Sequence, residues 1–210
     1  MKENFTSINV IIDESGSMAK LSQETISGFN KFLADQKALP GEAVLTLCTF
    51  NYKPKTVHDF VKLGSVSDLS DNDYIPNGGT ALLDAVGTVI ESVGQKLHAM
   101  PEDDKPSKVL FVIITDGEEN LSKEFSKAKV KAMIEHQREK YNWEFVFLGA
   151  NIDSMKEGSS IGVNPQLALN YVPTAAGTKG LFENISRSTT HYRRHGTYQV
   201  SDPNNTGKVK

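Results

Sequence analysis

The most apolar run in the chain is Lys108–Thr115, KVLFVIIT. Polar residues are scarce on both faces that a strand there would present, so it needs cover on both sides. A central strand of a parallel sheet has that environment. Parallel neighbours cannot be joined by a tight hairpin and need crossovers of about a dozen residues or more, usually helices. The rest of the chain should therefore alternate between short strands and helices.

It does. Ser7–Ile12 is short and β-branched and reads as a buried strand. Ser17–Leu39 has Leu21, Ile26, Phe29, Phe32 and Leu33 at helical spacing and stops at Pro40-Gly41. Ala43–Phe50 is a second strand, and Lys55–Leu63 reads as its antiparallel neighbour across the Asn51–Pro54 turn. Ser65–Gly79 is polar loop, and Thr80–Leu97 a helix with one apolar stripe. After the central run come a charged helix over Ser122–Tyr141, a strand over Trp143–Gly149 and a short helix over Ile152–Ile161. A strand over Leu167–Val172 and a helix from Ala175 to about Thr190 complete the series. Trp143, Phe145 and Phe147 read as sheet core. The expectation is an α/β, doubly wound, mostly parallel sheet with one antiparallel edge strand and helices on both faces.

Composition bounds the function. The 210 residues carry a net charge of −3, which does not advertise nucleic-acid binding. That charge is uneven: His191–Lys210 is +3 and the preceding 190 residues are −6. Residues 1–190 are thus expected to form one domain, followed by a basic, flexible tail at 191–210. The single Cys48 cannot form an internal disulfide and reads as a small core residue. The apolar stretch at Ile8–Ile12 is too short for a signal-peptide core, and nothing approaches a membrane span. A cytoplasmic protein with no membrane partner is the expectation.

In open α/β sheets, ligands sit beyond the carboxyl ends of the strands. The first strand is followed by Asp13-Glu14-Ser15-Gly16-Ser17, and the central strand by Asp116-Gly117-Glu118-Glu119. The second long helix opens with Asn77-Gly78-Gly79-Thr80. All three fall on one edge of the expected sheet. Alternate residues of Asp13-x-Ser15-x-Ser17 aim a carboxylate and two hydroxyls toward one point. Thr80 adds a hydroxyl and Asp116 a second carboxylate. Hard oxygen donors, few carboxylates and no His or Cys suit Mg²⁺ or Mn²⁺ rather than Zn²⁺, with Ca²⁺ a further candidate. Two full charges just neutralise a divalent ion, which favours leaving one coordination position to an outside carboxylate.

This combination resembles the von Willebrand factor A domain and its metal-ion-dependent adhesion site. The resemblance covers about residues 5–190, and none of the five expected positions is missing. It implies that Ser15, Ser17 and Thr80 are hydroxyl ligands, Thr80 in some members through water. Asp13 and Asp116 would act largely through bridging waters. The remaining position would take a Glu or Asp from a protein partner. Glu14, Asn77, Gly78, Gly79, Glu118 and Glu119 would line the surrounding contact surface.

Plainer readings exist for the same residues. Asp13, Ser15 and Ser17 are common turn and cap residues. Gly78 and Gly79 could be a simple turn, or lack side chains so that Thr80 can approach the ion. Glu118 and Glu119 read first as acids in the opening turn of the following helix. His191 and His195 stand at i, i+4 without two further ligands in view. The leading function is a metal-dependent adaptor and not an enzyme: there is no P-loop, no Gly-x-Ser-x-Gly elbow, and no His or Lys beside the metal loops. One alternative is a Mg²⁺-dependent hydrolase acting on phosphoesters. The other is a structural or assembly component, or a nucleic-acid accessory protein, acting through the basic tail.

Overall fold

The computed structural model describes residues 1–200. Six strands form one sheet: β1 (Lys2–Asp13), β2 (Glu42–Phe50), β3 (Pro54–Lys62), β4 (Pro106–Thr115), β5 (Glu144–Gly149) and β6 (Ala168–Asn170). Their order is β3-β2-β1-β4-β5-β6. Every neighbouring pair is parallel except β2–β3, the antiparallel hairpin at one edge. Val109–Thr115 of β4 is buried throughout, the consequence of a strand with helices over both faces.

The period-two alternation divides the core into two layers. Ile8, Val10, Ile12, Leu110, Val112 and Ile114 face Ile26, Phe29 and Leu33 of α1 (Ser22–Lys37) and Leu181, Phe182 and Ile185 of α5 (Ala175–His195). Ile11, Cys48, Phe50, Phe111, Ile113, Phe145 and Phe147 face the apolar stripe of α2 (Leu82–Ala99) and Val130 and Ile134 of α3 (Lys127–Tyr141). A short α4 (Ser154–Ser160) joins β5 toward β6. Phe111 stacks on Phe145 at 4.8 Å and on Trp143 at 5.5 Å, so these aromatics are sheet core. Cys48 is fully buried, and desolvation pushes its thiol up to about 12. Among the described residues no helix is long and apolar enough to cross a membrane.

Several boundaries depart from the sequence expectations: β1 begins at Lys2 and β6 shortens to Ala168–Asn170, and three other departures have a clear physical cause. The first helix is preceded by a 3₁₀ turn, Gly16–Leu21, in which the Met18 N–H donates to Ser15 O at 3.1 Å. That tighter winding curls the chain round the end of β1. The second departure is at α3, which starts at Lys127 and not Ser122. The Asp84 carboxylate of α2 accepts the N–H groups of Lys123, Glu124 and Phe125 and holds them as a loop. Ser126 then caps α3 through the Lys129 N–H. The third is at the far end: α5 runs through residue 190 to His195, and Gly196 ends it at φ +76°. Tyr192 is buried with its hydroxyl on Val109 O. The Arg193 guanidinium donates to the carbonyls of Gln36 and Gly41 at the end of α1. Packing against the sheet and α1 thus carries the helix into the expected tail, whose residues 201–210 lie outside the described residues.

Candidate metal centre

Strand register brings the two carboxylates together. Ile12 of β1 pairs with Ile114 of β4, so the next residues, Asp13 and Thr115, end their strands side by side. The Thr115 hydroxyl donates to Asp13 Oδ2 at 2.6 Å, and the Ser15 N–H donates to Asp13 Oδ1 at 2.7 Å. Tyr74, buried beneath, donates its hydroxyl to the Asp13 carbonyl at 2.6 Å. Ser15 Oγ and Ser17 Oγ lie 3.0 Å apart, and Ser17 Oγ donates to Asp116 Oδ1 at 2.6 Å. Asp13, Ser15, Ser17 and Asp116 therefore form one hydrogen-bonded chain across the ends of β1 and β4.

Thr80 joins from the loop before α2. A methyl group added at Gly117 would stand 3.5 Å from Thr80 Oγ1, so this hydroxyl faces the Asp116–Gly117 turn. The loop is fastened on all sides. The Asn77 N–H donates to Glu14 O, the Gly16 N–H to Gly78 O and the Ala81 N–H to Asn51 O. Thr80 and Asn120 exchange two bonds, Thr80 N–H to Asn120 Oδ1 and Asn120 N–H to Thr80 O.

The two glycines are also close-packing positions. Gly78 has φ +74°, and a Cβ there would meet the Tyr52 ring at 2.2 Å. A Cβ at Gly79 would meet Leu121 Cδ1 at 2.5 Å. They admit the neighbouring loops, and Thr80 is placed as a result.

The three acidic neighbours separate. Glu14 is only 3% exposed, and its carboxylate takes Lys55 Nζ at 2.9 Å and the Ile75 N–H at 2.6 Å. It is a clamp between β3 and the loop before α2, which removes it from the expected contact surface. Glu119 is not in the first turn of α3. Its carboxylate accepts the N–H groups of Leu83, Leu121 and Ser122 and the Ser122 hydroxyl. It therefore sits at the N-terminal end of α2, where the helix dipole favours an anion. Glu118, Asn77 and Gly78 are exposed on the rim, with Gly79 half-buried.

The electrostatics fit a cation. Burial raises Asp13, against the lowering effect of Thr115 and Ser15, and the Asp116 charge raises it further. Burial also raises Asp116, against the Ser17 hydrogen bond. Among the described residues no Lys, Arg or His pairs with either carboxylate. Buried charges without a partner are costly, so a bound cation would offset what burial opposes. No cluster of three or more His, Cys, Asp or Glu exists among the described residues, so hydroxyls must complete any ligand set. His191 and His195, with rings 4.5 Å apart, have no third such partner there.

Four residues around the site escaped the sequence reading. Thr115 is a lone hydroxyl at the end of an apolar strand, a signal that was readable. Tyr74, Asn120 and Tyr171 gave none. Tyr171 follows β6, with its N–H on Gly149 O. Its hydroxyl is buried without a hydrogen-bond partner among the described residues. Burial, then the charges of Asp116 and Asp13, holds this phenol well above its usual range.

No protein-family model matches the sequence, and no curated protein matches it. Solved structures do match the fold. A von Willebrand factor type A protein from Catenulispora acidiphila superposes with a TM-score of 0.60 at 17% identity, over 88% of this chain and 42% of that one. Proximal thread matrix protein 1 from the mussel byssus, with a zinc-occupied MIDAS motif, gives 0.62 at 15% identity, over 87% and 45%. The manganese-loaded TRAP protein of Plasmodium vivax gives 0.56 at 16% identity, over 81% and 69%. This chain spans less than half the length of the first two. It has the fold of a von Willebrand factor A domain.

Proposed function

We propose that this chain is a metal-dependent protein-interaction module. Asp13, Ser15, Ser17, Thr80 and Asp116 hold a divalent ion, Mg²⁺ or Mn²⁺ by the hardness of their oxygens, and a Glu or Asp of a partner completes the coordination. The observation that carries this reading is the pair of buried carboxylates, with no cationic partner among the described residues, joined through Ser15 and Ser17 at the carboxyl edge of the sheet. Two structural neighbours have metal at such a fold: zinc at the MIDAS motif of one, and manganese in the other. The bound ion would supply a directional positive charge, while the protein's own groups fix its oxygens. Asp13 is held by Thr115 and Ser15, and the Thr80 loop by Asn120 and the backbone of Glu14 and Gly16.

Isothermal titration of Mg²⁺ and Mn²⁺ into the wild type and Asp13→Ala tests the site. The wild type should bind one ion, and Asp13→Ala should lose on the order of 10–100-fold in affinity. Equal affinity in the two proteins overturns the assignment.

A further inference from the structure

Six large apolar side chains are more than half exposed among the described residues: Met1, Tyr52, Ile75, Tyr141, Met155 and Val172. Four of them share one edge of the molecule. Tyr52 is in the turn after β2, and Ile75 in the loop that Glu14 clamps beside the metal loops. Met155 is in the first turn of α4, after β5, and Val172 directly follows β6. The carboxyl edge of the sheet therefore carries an apolar flank on each side of the Asp13–Asp116 site. Exposed apolar side chains gathered about a polar centre mark interaction surfaces.

The flanks are built, not loose. The Tyr52 ring lies over Gly78, and the Tyr52 N–H donates to Asn51 Oδ1 at 2.7 Å. The Ile75 N–H is held by Glu14 at 2.6 Å and its carbonyl by Asn77 Nδ2 at 2.8 Å. Asn77 Oδ1 accepts from Asn51 Nδ2, which ties the Tyr52 and Ile75 segments together. On the other flank the Val172 carbonyl accepts the Thr174 N–H at 2.8 Å, against the start of α5. Preorganised backbone of this kind lowers the ordering cost of association.

The spacing identifies the occupant. β2 and β6 are four strands apart in the sheet order. At a strand spacing of about 4.8 Å that is about 19 Å. A small acid at the metal would touch neither flank. An extended segment of about six residues covers such a span at about 3.3 Å per residue. The site lies between β1 and β4, about 7 Å from the β2 end and about 12 Å from the β6 end, and alternate side chains of an extended segment share a face. Resting on the metal reading above, we infer that this edge binds an extended segment of a protein partner with an acidic residue at the ion, an apolar residue about two positions to one side and another about four positions to the other. The acid completes the ion's coordination, and the apolar residues cover Tyr52–Ile75 on one flank and Met155–Val172 on the other.

Three fluorescent nine-residue peptide designs, each made in both chain directions, and the full chain test this by anisotropy in Mg²⁺ or Mn²⁺. One has a Glu with Leu two positions to one side and four positions to the other, one replaces both Leu by Ser, and one replaces the Glu by Gln. The Leu-flanked Glu peptide should bind about tenfold or more tightly than the Ser-flanked one, as burial of two leucines implies. It should lose binding in EDTA and with Gln. Ile75→Ser and Val172→Ser should each weaken it about tenfold while leaving the calorimetric ion titration unchanged. Equal affinity for the Leu and Ser peptides, with the ion bound, overturns the inference and leaves the metal site standing. So does ion-dependent binding to phosphatidylserine vesicles that is lost in the same two variants, which would make the flanks membrane-inserting. Failure of the ion titration itself overturns the metal reading and, with it, this inference.

Discussion

Replacing Thr115 by Val isolates the contact on which the site's geometry turns. The two side chains have nearly the same shape, so the core is neither opened nor overfilled. What disappears is the hydroxyl that donates to Asp13 Oδ2 at 2.6 Å, with both residues fully buried. A hydrogen bond to a charged group contributes about 1.5–3 kcal/mol. The same hydroxyl accepts the Gly117 N–H at 3.3 Å, but Gly117 is partly exposed and water can replace that bond. The variant should therefore lose about 2–3 kcal/mol of stability in EDTA. For a chain of this length that is roughly 5–10 °C in Tm. Urea and thermal unfolding followed by Trp143 fluorescence give both quantities. A double-mutant cycle with Asp13→Asn should return most of the loss as coupling between the two positions. With Asp13 no longer oriented, Mg²⁺ affinity should fall on the order of tenfold. Thr115→Ser keeps the hydroxyl and should keep most of the affinity. A Thr115→Val protein within about 0.5 kcal/mol of the wild type, with an unchanged Mg²⁺ titration, would refute the claim that Thr115 holds the carboxylate.

Other perturbations check neighbouring parts of the same reasoning. Tyr171→Phe removes a buried hydroxyl that has no partner among the described residues, so thermal unfolding should show equal or greater stability, by about 1 kcal/mol; a clear loss would mean the hydroxyl is engaged. Cys48, with its thiol pushed up to about 12, should resist iodoacetamide at pH 8 until the protein unfolds; rapid native labelling would contradict its burial. Asp13 and Asp116 are raised above the ordinary 3.8, so in EDTA their contribution to stability is fully present below that value and is lost as pH rises through their raised values. Ion affinity should run the other way, rising with pH as protons cease to compete. Unfolding free energies of the wild type and an Asp13→Asn, Asp116→Asn double variant, compared from pH 4 to pH 7 in EDTA, should diverge in favour of the variant; parallel curves would refute the shifts.

How far the chain could be read without coordinates depends on what range of interaction fixes each part. β4 was legible because seven consecutive buried residues leave a strand only one place in a sheet. The order of the candidate site residues was legible because they cluster just after strands or just before a helix. What could not be read is how separate loops lock to one another. Glu119 looks like a helix-opening acid until its carboxylate is found on the Leu83 N–H of a different helix. Asp84 looks like one more polar residue of α2, yet it collects three N–H groups from 123–125 and delays α3 by five residues. Gly78 and Gly79 follow the same logic. Their partners Tyr52 and Leu121 lie 26 and 42 residues away in the chain. Local pattern reports which elements form; only the folded chain shows which loop fills the space above a glycine. That space decides where Thr80 stands, and so whether five oxygen-bearing residues scattered over a hundred positions become one site.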